Sequence, residues 1–82
     1  MDEVQKVADA ILQIARMMVD NPEDVKVEYQ VLQMSVTYRL TVAPSDIGKV
    51  IGQQGRIARS LRIIIGTIGM KHNVRVNLDI AV

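Results

Sequence analysis

The sequence predicts an α+β fold: a two-layer sandwich with three helices on one face of a three-stranded sheet, in the order α-β-β-α-α-β. Three observations carry this. The N-terminal stretch repeats apolar residues at helical spacing. Three later segments alternate apolar and polar residues with period two. Two further helical segments, joined by a glycine-rich turn, separate the second and third of these. A sheet with one apolar face and helices with one apolar stripe each bury both by stacking as two layers. The 82 residues, 49% of them hydrophobic, are expected to form a single domain over 1–82. A domain of this size buries only ~60–65% of the surface its unfolded chain exposes, so the core is expected to be thin.

Residues 3–19 read as the first helix. Val4, Val7, Ala8, Ile11, Ile14, Ala15 and Met18 form the stripe, at the i, i+3, i+4, i+7 spacing of a buried face. Asp2 is the expected N-cap, with Gln5 placed for a capping box. Asn21-Pro22 ends the helix, because a residue before proline is pushed out of the helical region. The strands follow by alternation. Val25, Val27, Tyr29 and Val31 face one way in the first. Met34, Val36, Tyr38, Leu40 and Val42 do so in the second. Val74, Val76, Leu78, Ile80 and Val82 do so in the third. A hairpin turn is expected near Val31–Gln33. Ser45 is the expected cap of a short helix after Pro44. A second long helix is expected from about Arg56 to Ile68, with Ile57, Leu61, Ile64, Ile65 and Ile68 in its core stripe and Gly69 as its C-cap.

Composition removes several function classes. There is no Cys and one His, His72, so disulfides, thiol nucleophiles, zinc ribbons and iron–sulfur sites are excluded. No paired carboxylate or nucleophile–base set stands out, and no catalytic residue, metal or cofactor is expected. His72 is expected in a surface loop. No apolar run approaches the ~18–20 residues of a membrane span. The acidic, amphipathic start MDEVQK is unlike a secretory signal, so a cytoplasmic protein without membrane contact is expected. Tyr29 and Tyr38 are the only aromatics, which argues against reading bases by aromatic stacking. Charge is divided along the chain: residues 1–46 carry −4 and residues 47–82 carry +5. The basic half is a candidate anion-binding face.

The most specific feature is Val50-Ile51-Gly52-Gln53-Gln54-Gly55-Arg56. Two glycines three apart join two helices, allow a sharp turn and let a phosphate approach the backbone. A helix start follows directly, and its free N–H groups favour an anion. Lys49 and Arg56 flank the turn with full charges. The spacing fits neither G-x-G-x-x-G nor the P-loop.

With these flanks the sequence resembles the KH domain, whose GXXG loop clamps about four nucleotides of single-stranded RNA. The element order is similar to the type II arrangement. Through TVAPSDIGKVIGQQGRIARSLR the whole chain resembles the small bacterial single-KH proteins of the KhpA type. The resemblance implies an RNA-binding protein, an RNA chaperone or post-transcriptional regulator. It also implies pairing with a second copy or with a larger KhpB (Jag/EloR)-type KH protein, and a role in cell elongation, division and peptidoglycan homeostasis. The expected RNA contacts are Ile47, Lys49, Val50, Ile51, Gly52, Gln53, Gln54, Gly55, Arg56 and Arg59. Ile47, Val50 and Ile51 would form an apolar floor, with Ile57 closing one end. A basic residue is usual within the loop. Gln53 and Gln54 can donate to phosphate but add no charge, so weak, salt-sensitive binding is expected. Ile63 and Ile64, on the second long helix, are the expected partner interface. The alternative is a protein-interaction module with a KH fold and little RNA affinity.

Overall fold

A computed structural model describes residues 2–82. The elements are α1 (Glu3–Met18), β1 (Lys26–Val31), β2 (Val36–Thr41), α2 (Ile47–Ile51), α3 (Arg56–Lys71) and β3 (Val76–Ile80). Single 3-10 turns lie at Pro22–Asp24, Pro44–Asp46 and Gln53–Gly55. The order is the α-β-β-α-α-β that the sequence predicts. The sheet runs β1-β2-β3. β1 and β2 are antiparallel, with Val31 opposite Val36. β2 and β3 are parallel, with Tyr38 opposite Leu78. A parallel pair needs a long crossover, and α2 and α3 supply it. The glycine turn therefore sits in the middle of that crossover.

α1 begins where expected. Asp2 Oδ1 accepts from the Val4 N–H at 2.9 Å. The capping box does not close: Gln5 donates to Asp9 (2.9 Å) and accepts from the Tyr29 hydroxyl (3.2 Å). Val7, Ala8, Ile11 and Ala15 are buried. The strands differ in depth. Val36, Tyr38 and Leu40 of central β2 are buried, as are Leu78 and Ile80 of β3, whereas every residue of β1 except Val27 is exposed. Alternation reads β1 as half-buried, but an edge strand under one helix has little core to face. Met34 and Val82 lie beyond the strand ends and are exposed. The hairpin closes through the Leu32 N–H on the Ser35 carbonyl, 2.8 Å, just beyond the expected turn.

Tyr38 is fully buried, and its hydroxyl donates to the Val4 carbonyl at 2.8 Å. Burial, with lesser repulsion from Tyr29 and Asp2, pushes its pKa up to about 12. The ring sits 5.7 Å from that of Tyr29. Together the two tyrosines fasten α1 to the sheet.

α3 departs from expectation in three ways. It continues to Lys71, so Gly69 is not its C-cap. Its buried residues are Ala58, Leu61, Ile65 and Gly69, while Ile57 and Ile64 are exposed. The buried stripe contains the small residues because they face the closest neighbours. A Cβ on Gly69 would stand 2.6 Å from the Val74 carbonyl and 2.5 Å from Val76 Cγ2. The helix ends one turn later. Asn73 takes positive φ (59°), its N–H meets the Met70 carbonyl, and the Val74 N–H meets the Gly69 carbonyl. This is a Schellman ending with asparagine in the glycine place. His72 is the C-cap, half-buried and paired through Nδ1 with Glu3, rather than a free loop residue. That contact is the main cause holding the Glu3 carboxyl below its ordinary value.

Candidate nucleic-acid interface

The site is built on backbone conformation. α2 stops at Ile51 because Gly52 takes φ 75°, ψ 173°, a region that essentially only glycine occupies. The Gly52 N–H still closes on the Gly48 carbonyl at 2.9 Å, and the Gly55 N–H closes on the Gly52 carbonyl at 3.2 Å. Gln54 (φ 56°, ψ 23°) and Gly55 (φ 73°, ψ 19°) are both left-handed. Three positive φ values within four residues turn the chain and aim α3 away from α2. Gly55 is the N-cap of α3, so no side chain makes a capping hydrogen bond to that helix start.

The expected site residues fall into three groups. Gln53 and Gln54 project from the turn and are exposed, as are Arg56 and Arg59 on the first turn of α3. Arg56 makes a long contact to Gln54 Oε1, 3.4 Å. Arg59 reaches back over the turn: a Cβ on Gly55 would stand 4.0 Å from its Nη1. Among the described residues, neither arginine has an acidic partner within ion-pair distance. Ile47 and Ile51 are half-buried beside the turn. Ile57 lies against it, 2.6 Å from where a Gly52 Cβ would be. Val50 is fully buried and so belongs to the core beneath the site, not to an apolar floor on its surface. Arg62, further along α3, donates from Nε to the Leu78 carbonyl at 3.1 Å and ties α3 to β3.

Lys49 stands apart. Its Nζ lies 3.2 Å from Asp20 Oδ2 and 3.9 Å from Asp46 Oδ1. Asp46 is only 1% exposed. Its Oδ1 accepts from the Asp20 N–H (3.2 Å). Its Oδ2 accepts from both the main-chain N–H and the side-chain amide of Asn21 (3.0 Å each). Burial works to raise this carboxyl. The hydrogen bond from the Asn21 side chain, those from the Asp20 and Asn21 backbones and the charge of Lys49 outweigh it and hold the pKa below its ordinary value. Ser45 does not cap α2; its Oγ accepts a long contact from Asn21 (3.4 Å). Sequence reading misses this cluster because positions 20–21 and 45–49 are joined by tertiary contact alone. The nearest signal is Asp46, an acid directly ahead of an apolar helical segment.

The family model described as "KhpA/KhpB, KH domain" matches residues 8–80. The chain is 40% identical over 72 residues to the RNA-binding protein KhpA of Listeria monocytogenes, covering 88% of this chain and 95% of that protein. It is 45% identical over 67 residues to the protein of the same name from Clostridium acetobutylicum, covering 82% and 89%. The one from Chlamydia caviae is 36% identical over 72 residues, covering 88% and 92%. No solved structure gives a significant match. KH domains are binding modules without catalytic machinery, and the described residues contain no cluster of His, Cys, Asp or Glu able to hold a metal. With the α-β-β-α-α-β order of the type II arrangement and a G-x-x-G turn between its crossover helices, the chain belongs to the KhpA/KhpB family of KH domains and is of the KhpA type.

Proposed function

We propose that the chain binds single-stranded RNA, gripping its backbone at the GQQG turn. The observation that carries this reading is the turn itself. Gly52 and Gly55 bring main chain to the surface with no Cβ over it, directly ahead of a helix start without a side-chain cap. Such a helix start attracts an anion. Gln53 and Gln54 donate to phosphate oxygens. Arg56 and Arg59 supply the charge, and Lys49 adds to it. Ile47 and Ile51 offer apolar surface to base faces, Ile57 bounds the Gly52 end, and Val50 supports them from below. The relatives' name, RNA-binding protein KhpA, points the same way.

The loop carries few charges and there are no stacking aromatics, so binding is weak and little dependent on sequence. With ~3 phosphates neutralised, affinity falls about 20-fold between 50 and 200 mM salt. Replacing Gln53 and Gln54 by Asp tests the site. Both side chains are exposed, and surface changes usually stay within ~0.5 kcal/mol, so the melting temperature holds. Two carboxylates where phosphates must sit abolish binding, read by anisotropy of a labelled single-stranded RNA. A folded double variant that binds like the wild type would instead favour the protein-interaction reading, for which the uncharged loop speaks.

The same proposal includes pairing through α3, with a second copy or a larger KhpB-type KH protein, in RNA chaperone or regulatory work tied to cell elongation and peptidoglycan homeostasis. Ile63 is 71% exposed and Ile64 48%. Ile63 lines a shallow groove between α3 and β3 with Gly66, Thr67, Met70, Val74 and Val76. Exposed apolar side chains grouped in this way mark interfaces. Sedimentation of the wild type beside Ile63→Asp tests it: a wild type that stays monomeric at high micromolar concentration rules out the homodimer.

A further inference from the structure

Of the cations beside the turn, Lys49 alone is already engaged. Arg56 and Arg59 have no acidic neighbour, whereas the Lys49 ammonium is shared between Asp20 and Asp46. The two carboxylates differ. Asp46 is buried and committed to the main chain of residues 20 and 21. Asp20 is 76% exposed and offers Oδ2 to Lys49 at 3.2 Å, on a lysine side chain that is itself 44% exposed.

We propose that Asp20 sets the RNA affinity of the GQQG site by competing with phosphate for Lys49. This rests on the RNA-binding reading above. The arrangement is built into the fold. The segment carrying Asp20 follows α1, and the buried Asp46 carboxylate ties it down by two hydrogen bonds from its backbone N–H groups and one from the Asn21 side-chain amide. Asp20 is therefore held beside Lys49, which lies on α2 three residues ahead of Gly52. A phosphate approaching Lys49 is repelled by the Asp20 carboxylate 3.2 Å from its ammonium. It then has to take the place of the Asp20 carboxylate on the ammonium. An exposed ion pair is weak, worth less than about a fivefold change in an equilibrium constant. The competition therefore grades binding without blocking it. It also falls away with salt, since the Debye length is ~10 Å at 0.1 M. Arg56 and Arg59 take phosphate without such competition, so the two sides of the turn differ: an uncontested side on α3 and a contested side on α2.

The test is a double-mutant cycle on the full chain: wild type, Asp20→Asn, Lys49→Met and the pair together. Gln53→Asp/Gln54→Asp serves as the reference for the site. The probe is a fluorescein-labelled single-stranded RNA ten-mer of mixed sequence, read by anisotropy at 50 and 200 mM salt. Asp20→Asn keeps the backbone N–H that Asp46 accepts, so its melting temperature stays with the wild type. The expected result is about threefold tighter binding for Asp20→Asn at 50 mM salt, with the gain shrinking at 200 mM. In the Lys49→Met background the same change gains nothing beyond the small effect of one fewer negative charge. No gain from Asp20→Asn, or an equal gain in both backgrounds, overturns the inference while the loop variant's loss of binding keeps the site. If the loop variant binds like the wild type, the site reading itself fails and the inference goes with it.

Discussion

Gly52–Gly55 and Gly66–Gly69 share the G-x-x-G spacing, one pair ahead of α3 and the other inside it, and they meet different needs. In the first pair the need is conformational. Both glycines have φ above 70°, and beside Gly55 there is room for a Cβ. In the second pair the backbone is ordinary helix and the need is space at one member only. A Cβ on Gly69 would collide with the Val74 carbonyl, while one on Gly66 would meet nothing within 4 Å. A glycine required for its dihedral angles can sit at the surface and leave main chain open to a ligand. A glycine required for close approach is buried and serves the fold. Spacing alone does not distinguish the two; the neighbours do.

Substitution should separate the pairs. The largest effect is expected at Gly69→Ala, because the group in the way is a backbone carbonyl at the entry to β3, which cannot rotate aside. Overpacking of this kind costs about 3 kcal/mol, a fall of roughly 15 °C in Tm for a domain of this size. A melt close to the wild type would mean that β3 can move off α3. Gly52→Ala should cost somewhat less, about 2 kcal/mol from forcing alanine into a glycine-only region. Its steric neighbour is the half-exposed Ile57, whose Cγ1 and Cδ1 can rotate aside while its Cβ stays 3.0 Å away. The signature is a modest fall in denaturant midpoint with a full loss of RNA binding, since the turn is re-aimed. If the fold is lost as completely as with Gly69→Ala, the distinction between shape and space fails.

Acid should loosen the loop end before the far end of α3. The folded Asp46 carboxyl lies below its ordinary value. Its contribution is therefore fully present above the unfolded carboxylate value of ~3.9 and is lost as pH falls through the depressed folded value. Glu3 has the same sign, but its contacts with His72 and Lys6 are exposed and worth little. Hydrogen exchange at decreasing pH should show residues 20–21 and 46–52 opening ahead of 69–75. Asp46→Asn should lower Tm at neutral pH by on the order of 10 °C and flatten the acid limb. Simultaneous opening of both ends would contradict this. The smallest effect is expected at Gly66→Ala, a gain of ~0.5–1 kcal/mol from helix propensity with open space around the new methyl. A loss there, in the isolated monomer, would show a neighbour that the structure does not have.

Much of the fold is legible in the residues. The α1 stripe, the alternation in β2 and β3 and the break at Asn21-Pro22 are local patterns, and each returns as an element within a residue or two. α3 shows where such reading bends. Five isoleucines and a leucine between positions 57 and 68 draw the stripe toward the large residues. The helix instead buries Ala58 and Gly69 because small side chains allow close packing on the sheet. β1 shows the reverse error: its alternation is sound, but its position at the sheet edge leaves Tyr29 and Val31 partly or largely in water. Of the candidate site, the turn and its flanking charges are legible because they are contiguous. Only tertiary placement reveals that Val50 lies beneath the surface and that Lys49 is already paired.

The element order, the two-layer class, the G-x-x-G turn between crossover helices and the concentration of positive charge beyond residue 46 are legible in the residues alone. All of these follow from neighbours along the chain, where periodicity, proline and glycine act directly. Tertiary structure decided which strand is central, which face of α3 is buried, where that helix ends and which cations remain free. Those depend on groups far apart in sequence: Asp46 reaches back to Asp20 and Asn21, and His72 at the end of α3 meets Glu3 at the start of α1. A local pattern states what a residue can do. The partner brought to it by folding selects which of those things it does.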